Sequence, residues 1–159
     1  MNQKYLSRHH LDAYSEMEFS NLLKKKKFQP FFPFKDEGID MVAFKDNDFK
    51  KPYFFQLKAR NLTIKNNTYR FRIFKSKIEE AGKINNFYWV LCAFKPSGKF
   101  DFFVFPQKII KKWMDIWNMK LNEKGSEFGV RRFFMIKSEK NDYSIAPQYI
   151  KIDPNEYLW

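Results

Sequence analysis

Three polar residues that could do chemistry together lie in two neighbouring strand-like segments of the sequence. Asp40 stands near the start of segment 39–44, and Gln56 and Lys58 stand near the end of segment 53–59. Side chains alternate between the two faces of a strand, so Gln56 and Lys58 share one face. If the two segments pair in one sheet, a carboxylate, an amide oxygen and an ammonium group would surround one point.

This group of side chains suits one kind of reaction. Oxygen donors beside a lysine favour a hard divalent cation such as Mg2+, with Mn2+ as an alternative, because such ions prefer oxygen ligands and keep waters that a phosphate can replace. The cation would polarise the phosphate and help to make hydroxide from water. Lys58 would neutralise charge or position the attacking water. The residues therefore predict phosphodiester hydrolysis.

The same residues resemble the motifs of the PD-(D/E)xK nuclease superfamily, which includes restriction-endonuclease-like and Holliday-junction-resolvase-like enzymes. GID at 38–40 resembles the aspartate motif of the family, and QLK at 56–58 resembles the second half, in its Gln-x-Lys form. SEMEF at 15–19, followed by apolar residues, is similar to the first helix of the resolvase type. The resemblance covers roughly residues 14–59 and continues weakly to about 105.

The resemblance implies a fold and a set of site residues. The fold is an α/β restriction-endonuclease-like αβββαβ core, a mixed central sheet flanked by helices, here with a C-terminal helix and hairpin. The catalytic residues would be Glu16, Asp40, Gln56 and Lys58, of which the first three would bind Mg2+. Glu16 matches the helix glutamate better than Glu18 does, although helical periodicity alone does not choose between them.

Two positions depart from the family pattern. Ile39 replaces a frequent proline, which affects how the backbone enters the strand. Gln56 replaces an acidic ligand, so the site carries one negative charge fewer and should bind Mg2+ less tightly. The same change would also be an early step towards an inactive domain that only binds nucleic acid.

The charge of the chain points to a polyanionic partner. Thirty basic and eighteen acidic side chains give a formal net charge of +12 over 159 residues, spread along the chain. Such a surface attracts nucleic acid through counterion release and long-range steering. An AT-rich coding sequence would also enrich Lys, Phe, Asn and Ile, and this is the alternative explanation of the charge.

Four basic residues after the QLK motif are candidates for contact with nucleic acid. Two of them, Arg70 and Arg72, would share one face of a hairpin formed by segments 62–65 and 69–74. The full set, which could border the site or simply form an exposed strand face, is Arg60, Lys65, Arg70 and Arg72.

Length and composition predict one soluble domain over residues 1–159. Twenty phenylalanines supply core material, and the single cysteine, Cys92, lies in an apolar run where a buried thiol is expected. No apolar segment approaches the roughly 20 residues that span a bilayer, and MNQKYLSRHH lacks a signal-peptide core. We expect a cytoplasmic protein that does not bind membranes.

Periodicity predicts the main elements along the chain. We expect a helix over about 11–27 with Ser7 as N-cap, an edge strand within 28–34, and a short helix over 75–83. A buried central strand at 87–94 should pair with a strand at 100–105. The remaining expected elements are a helix after Pro106 with apolar Trp113 and Trp117, and a hairpin of 131–136 with 143–145.

Taken together, the sequence predicts a metal-dependent DNA endonuclease, with DNA preferred to RNA because the family mostly acts on DNA. A homodimer is a candidate state, since cutting both strands of a duplex commonly needs two active sites. Two alternatives stay open: an inactive nucleic-acid-binding domain of the same fold, and a structural subunit that uses the Trp113 and Trp117 helix as an interface.

Overall fold

The computed structural model describes residues 6–34, 38–63, 67–123, 131–139, 142–145 and 150–152. Within this part of the chain, three helices separate runs of four, two and three strands. In chain order they are α1 (Arg8–Lys25), β1 (Phe28–Phe31), β2 (Met41–Lys45), β3 (Pro52–Asn61), β4 (Thr68–Phe74), α2 (Lys75–Ala81), β5 (Phe87–Phe94), β6 (Phe100–Pro106), α3 (Gln107–Glu123), β7 (Arg131–Glu139), β8 (Asp142–Ile145) and β9 (Ile150–Ile152).

The opening helix α1 forms where the apolar spacing predicts it. Ser7 is the N-cap, and its hydroxyl accepts a hydrogen bond from the backbone N–H of His10. A Ser at this position satisfies one of the N–H groups that the first helical turn leaves unpaired. Lys24 and Lys25 lie in the last turn, where positive charge interacts favourably with the helix dipole.

The first sheet has five strands in the order β1-β2-β3-β5-β6. Its strands pair antiparallel except for β3 and β5, which are parallel. A parallel pair requires a crossover connection, and the chain between β3 and β5 contains β4 and α2. The order α1-β1-β2-β3-α2-β5 is the αβββαβ core that the sequence implied, so the predicted fold class is confirmed.

A second sheet has four strands in the order β4-β7-β8-β9, all antiparallel. The sequence predicts the hairpin of β7 and β8 but not its union with β4. Segment 62–65 was expected to pair with 69–74, whereas only one isolated bridge, Thr63 to Thr68, joins these regions in the described residues. β4 instead pairs along its whole length with β7, and its apolar face, Tyr69, Phe71 and Ile73, is buried in the core.

Two hydrophobic clusters lie on the two faces of the first sheet. On one face, α1 packs its buried Leu11, Phe19 and Leu23 against Phe55 and Leu57 of β3. On the other face, α2, α3 and the second sheet surround a larger cluster that includes Trp89 and Phe105. β5 is therefore buried on both faces, as its almost continuous apolar sequence predicts.

Trp113 of α3 belongs to this larger core. Its side chain is 4% exposed, and its ring centroid lies 4.9 Å from that of Phe105 in an edge-to-face arrangement. Trp113 therefore stabilises the fold and offers no surface for a partner subunit. The side chain of Trp117 lies outside the described residues.

None of the helices in the described ranges has the length and hydropathy needed to cross a membrane.

Candidate active site

Asp40 lies immediately before β2, where the regular pairing of β2 with β3 ends at Met41 and Phe55. Its backbone N–H donates to the carbonyl oxygen of Phe55 at 2.9 Å, and its Oδ2 accepts the backbone N–H of Leu57 at 2.6 Å. In a regular antiparallel ladder, that N–H would go to a backbone carbonyl of β2. The carboxylate takes this place and is held against the part of β3 that contains Gln56.

The turn before Asp40 closes over the amide of Gln56. Gly38 has a φ of +86°, a conformation that glycine adopts without steric cost. A Cβ atom added to Gly38 would lie 3.8 Å from Nε2 of Gln56, so the glycine backbone packs next to this amide. Gln56 is only 7% exposed, one of the few buried polar side chains in the described residues. The GID and QLK motifs are therefore in direct contact.

Gln56 and Lys58 share one face of β3, as strand alternation predicts. Phe54 of the same face packs against the cluster beneath α2 and α3, whereas Leu57 packs under α1. Lys58 is partly exposed, and its backbone lies beside Cys92 of β5. Two of the predicted side chains, Gln56 and Lys58, thus lie on the face of the sheet that is opposite α1.

The placement of α1 separates Glu16 from Glu18. Glu18 lines a groove with Phe100 and Phe102 of β6, at one edge of the sheet. Residues in an α-helix are about 100° apart, so Glu16 lies on nearly the opposite flank, away from β6. Glu16 in place of Glu18 as the helix glutamate stays a prediction from the sequence. Because α1 covers the face opposite Gln56, Glu16 can share a site with Gln56 only beyond the end of the β2–β3 pairing, beside Asp40.

The chemical nature of these donors fits a hard cation. Carboxylate and amide oxygens are the ligands that Mg2+ and Mn2+ prefer. In the described ranges no three His, Cys, Asp or Glu side chains lie close enough to hold a metal ion together. A metal at Asp40 would therefore depend on the Gln56 amide and on water besides carboxylates, which agrees with weaker binding than in an all-acidic site.

Comparison with solved structures finds proteins that this chain resembles in fold. The chain is similar to Hjc from Archaeoglobus fulgidus, a Holliday junction resolvase from an archaeal hyperthermophile, with a TM-score of 0.40 and 11% sequence identity. The likeness covers 60% of this chain and 72% of the Hjc chain. No protein-family profile matches the sequence. No curated protein sequence matches it either.

A group of arginines lies at the C-terminal end of β3, just beyond the QLK motif. Arg60 is half-buried and donates from Nη1 to the carbonyl oxygen of Ala59 at 2.6 Å. Burial lowers the pKa of its guanidinium; Arg8 and Arg72 lower it further, while Asp12 raises it. Arginine remains protonated at neutral pH, so Arg60 lies within electrostatic reach of two further positive groups and of the Asp12 carboxylate. An anionic ligand would relieve this repulsion.

The other predicted basic residues are only partly located. Arg70 and Arg72 lie on the same face of β4, opposite the buried Tyr69 and Phe71, as alternation predicts. The guanidinium of Arg72 lies 5.8 Å from the ring centroid of Phe74. Lys65 falls outside the described residues. Sequence reasoning missed Arg8, whose position at the start of α1 gave no sign that the helix would bring it to the end of β3.

Proposed function

We propose that this protein is a metal-dependent nuclease that hydrolyses phosphodiester bonds of DNA. The observation that carries the proposal is the carboxylate of Asp40, which is fixed against the backbone of β3 next to Gln56. Lys58 follows Gln56 by two residues and lies on the same face of the strand. The sequence motifs resemble those of a superfamily that mostly acts on DNA, which is why we prefer DNA to RNA. Mg2+ is the proposed cofactor, with Mn2+ as an alternative.

In this proposal each side chain has a separate task. Asp40 and Gln56, with Glu16 from α1, would supply the oxygen ligands for the divalent cation. When bound, that cation would polarise the phosphate and assist deprotonation of the attacking water. Lys58 would position this water or neutralise the charge that develops on the phosphate oxygens. The water oxygen then bonds to phosphorus, the bond from phosphorus to one sugar oxygen breaks, and that oxygen takes up a proton.

The arginine group supports the choice of substrate. Arg60, Arg8 and Arg72 concentrate positive charge at the end of the strand that carries Gln56 and Lys58. Phosphate groups on either side of the scissile bond would bind there through charge-assisted hydrogen bonds. Contacts of this type position the nucleic acid without reading its sequence. We therefore propose that Arg60 and Arg72, with Arg70 on the same exposed face, hold the DNA backbone.

Cleavage of defined substrates tests the proposal. The full chain would be incubated with supercoiled, linear and four-way branched DNA in Mg2+, in Mn2+ or in EDTA. We expect cleavage only with the metals, and about a 100-fold loss or more in Lys58→Ala, comparable to the loss of one transition-state donor. Lys112→Ala is the matched control, because Lys112 is an exposed lysine of α3. Cleavage that is absent from every substrate, or unchanged in Lys58→Ala, would contradict the proposal.

A binding-only domain is the second candidate function. Gln56 in place of an acidic ligand and the lack of a three-carboxylate cluster in the described ranges favour it. In that case Asp40→Ala would bind DNA as tightly as the natural chain, and Mg2+ would not produce nicks.

The predicted homodimer is part of neither argument and stays a prediction, to be measured by sedimentation in the presence and absence of DNA.

A further inference from the structure

Several phenylalanines are exposed on the β1–β2 side of the first sheet, outside both hydrophobic cores. Phe31, Phe44 and Phe49 form a continuous row, with ring centroids 5.8 Å apart between Phe31 and Phe44 and 5.2 Å apart between Phe44 and Phe49. Phe31 is 43% and Phe49 57% exposed, and Phe32 and Phe34 after β1 are exposed as well. We call Phe31, Phe44 and Phe49 the aromatic row.

The aromatic row lies on the same face of the sheet as Gln56 and Lys58. Phe31 is the cross-strand partner of Val42, and Val42 is the partner of Phe54. Cross-strand partners share a face, and Gln56 follows Phe54 by two positions on the same face. Val42 also lies two residues after Asp40 along β2. The row is thus an exposed part of the face that leads to the candidate active site.

Lysines surround this end of the sheet. The last turn of α1 and the segment after it contribute Lys24–Lys27, the end of β2 contributes Lys45, and the β2–β3 connection contributes Lys50 and Lys51. The ammonium groups of Lys45 and Lys51 lie over the rings of Phe28 and Tyr53, on the α1 side of the sheet, so the other five lysines are the candidates for contact with a ligand of the row. All seven lysines are exposed except Lys45, which is partly buried. Within segments 24–31 and 45–51, seven lysines oppose two aspartates, Asp46 and Asp48. A ligand of the aromatic row must therefore tolerate strong positive potential.

This combination selects among the ligands that could cover the row. A second copy of the chain would bring the same lysines together, and like charges at an interface oppose association. A duplex exposes phosphates but keeps its bases stacked inside. An unpaired DNA strand offers phosphates for the lysines and base faces for the phenylalanines, which is how proteins bind single strands without sequence preference.

We propose that the aromatic row binds the bases of an unpaired DNA strand, while the surrounding lysines hold its phosphates, beside the site of Asp40, Gln56 and Lys58. In its choice of nucleic acid the proposal rests on the proposed function. It adds the structural class of the substrate: DNA with a single-stranded portion, such as a flap, a gap or an open branch. The binding step can be measured without any cleavage.

Binding in EDTA tests this directly. The full chain would be titrated into a fluorescent single-stranded DNA, into the same strand made abasic, and into the matching blunt duplex. We expect the natural chain to prefer the strand with bases. Phe31→Ala and Phe49→Ala should each weaken its binding about 5- to 150-fold, the range for loss of one stacked base. Phe49→Trp should retain binding. The three phenylalanine variants should bind the abasic strand as tightly as the natural chain does.

Two controls keep the result interpretable. Met17→Ala removes another exposed apolar side chain, 52% exposed on α1, and should leave binding unchanged. Lys50→Glu should weaken binding of all three DNAs, because it acts on phosphates. Equal affinity for the strand with and without bases, or full binding by Phe31→Ala and Phe49→Ala, would overturn the proposal. Self-association that is abolished by Phe49→Ala, with unchanged DNA affinity, would overturn it and make the row a contact between copies.

The two proposals can fail separately. If single-strand binding depends on the aromatic row but no DNA is cut, the further inference stands and the nuclease proposal fails. If metal-dependent cleavage is found but Phe31→Ala and Phe49→Ala cut flapped and blunt DNA with natural efficiency, the nuclease proposal stands and the aromatic row is not a base-binding surface.

Discussion

Leu57 donates its backbone N–H to the carboxylate of Asp40 across 2.6 Å, so a single side chain joins the two sequence motifs of the candidate site. This bond gives Asp40 a structural task as well as its proposed chemical one. A buried N–H that loses its acceptor destabilises a protein by about 1–3 kcal/mol. Loss of activity on removal of Asp40 would therefore not by itself identify a catalytic group.

A pair of substitutions at Asp40 separates the two tasks. Asp40→Asn keeps an oxygen that can accept the Leu57 N–H but removes the negative charge, so we expect little change in the free energy of unfolding. Asp40→Ala removes the acceptor and should lower that free energy by about 1–3 kcal/mol. Both should reduce metal-dependent cleavage about 100-fold or more. Denaturant unfolding and plasmid nicking on the same preparations measure the two effects. Cleavage that survives in Asp40→Asn would show that the carboxylate is only structural.

Gln56→Glu should make stability depend on divalent metal. Gln56 is almost fully buried beside the Asp40 turn, and a second carboxylate next to that of Asp40 would destabilise the fold through desolvation and like-charge repulsion, which the partly exposed Lys58 offsets only in part. A cation that binds only the folded state would restore stability. We expect the melting temperature of Gln56→Glu to be lower than that of the natural chain in EDTA and to rise by several degrees in Mg2+.

Gln29→Glu is the matched control for this substitution, because Gln29 is an exposed glutamine of β1. Its melting temperature should respond to Mg2+ no more than that of the natural chain. An equal metal response in Gln56→Glu and Gln29→Glu would show that Gln56 does not face a cation site. The readout is thermal unfolding, so it does not depend on finding the right DNA substrate.

The pairing of β2 with β3 was predictable from local strand patterns, whereas the αβββαβ order, with its non-local parallel pairing of β3 and β5, was implied by the resemblance to the nuclease superfamily. Alternation placed Gln56 with Lys58, and the helical stripe of Leu11, Phe19 and Leu23 placed α1. The second sheet depends on non-local pairing: β4 leaves β3 and pairs with β7, more than fifty residues later. The position of Arg8 beside Arg60 and the exposure of the aromatic row likewise follow from which faces other elements leave uncovered, which periodicity does not encode.

The second sheet is joined to the edge of the first through Asp101. The hydroxyl of Tyr143 in β8 donates to this carboxylate, and Lys95 forms an ion pair with it at 2.8 Å. Hydrogen bonds to charged groups contribute about 1.5–3 kcal/mol. Tyr143→Phe should therefore lower the free energy of unfolding by about that amount, measured in urea. Tyr14→Phe is the comparison, since the Tyr14 hydroxyl makes only a long 3.5 Å bond to Gly98 and its loss should have little effect.

Two tyrosines near Asp101, Tyr69 and Tyr143, should make the protein sensitive to alkaline pH. Burial, followed by the charge of Asp101, raises the pKa of Tyr69 to about 12. Burial and the hydrogen bond to Asp101 also raise the pKa of Tyr143. A raised pKa means that the folded state favours the protonated phenol, so this stabilisation is complete below the ordinary tyrosine pKa of about 10 and is lost as pH rises towards 12. Urea midpoints should fall between about pH 10 and 12, less steeply in Tyr143→Phe. A midpoint that is constant over this range would contradict the placement of both phenols.

Cys92 provides a label for opening of the central strand. Its side chain is fully buried in β5, and burial raises the pKa of the thiol well above its usual range. Thiol reagents attack the thiolate, so labelling requires both exposure and deprotonation. We expect the native chain to react about 100-fold more slowly than the chain in denaturant, with the rate set by the fraction of molecules that open at β5. Cys92→Ser gives the background, because Cys92 is the single cysteine. Immediate labelling of the native protein would show that α1 does not cover this part of β5.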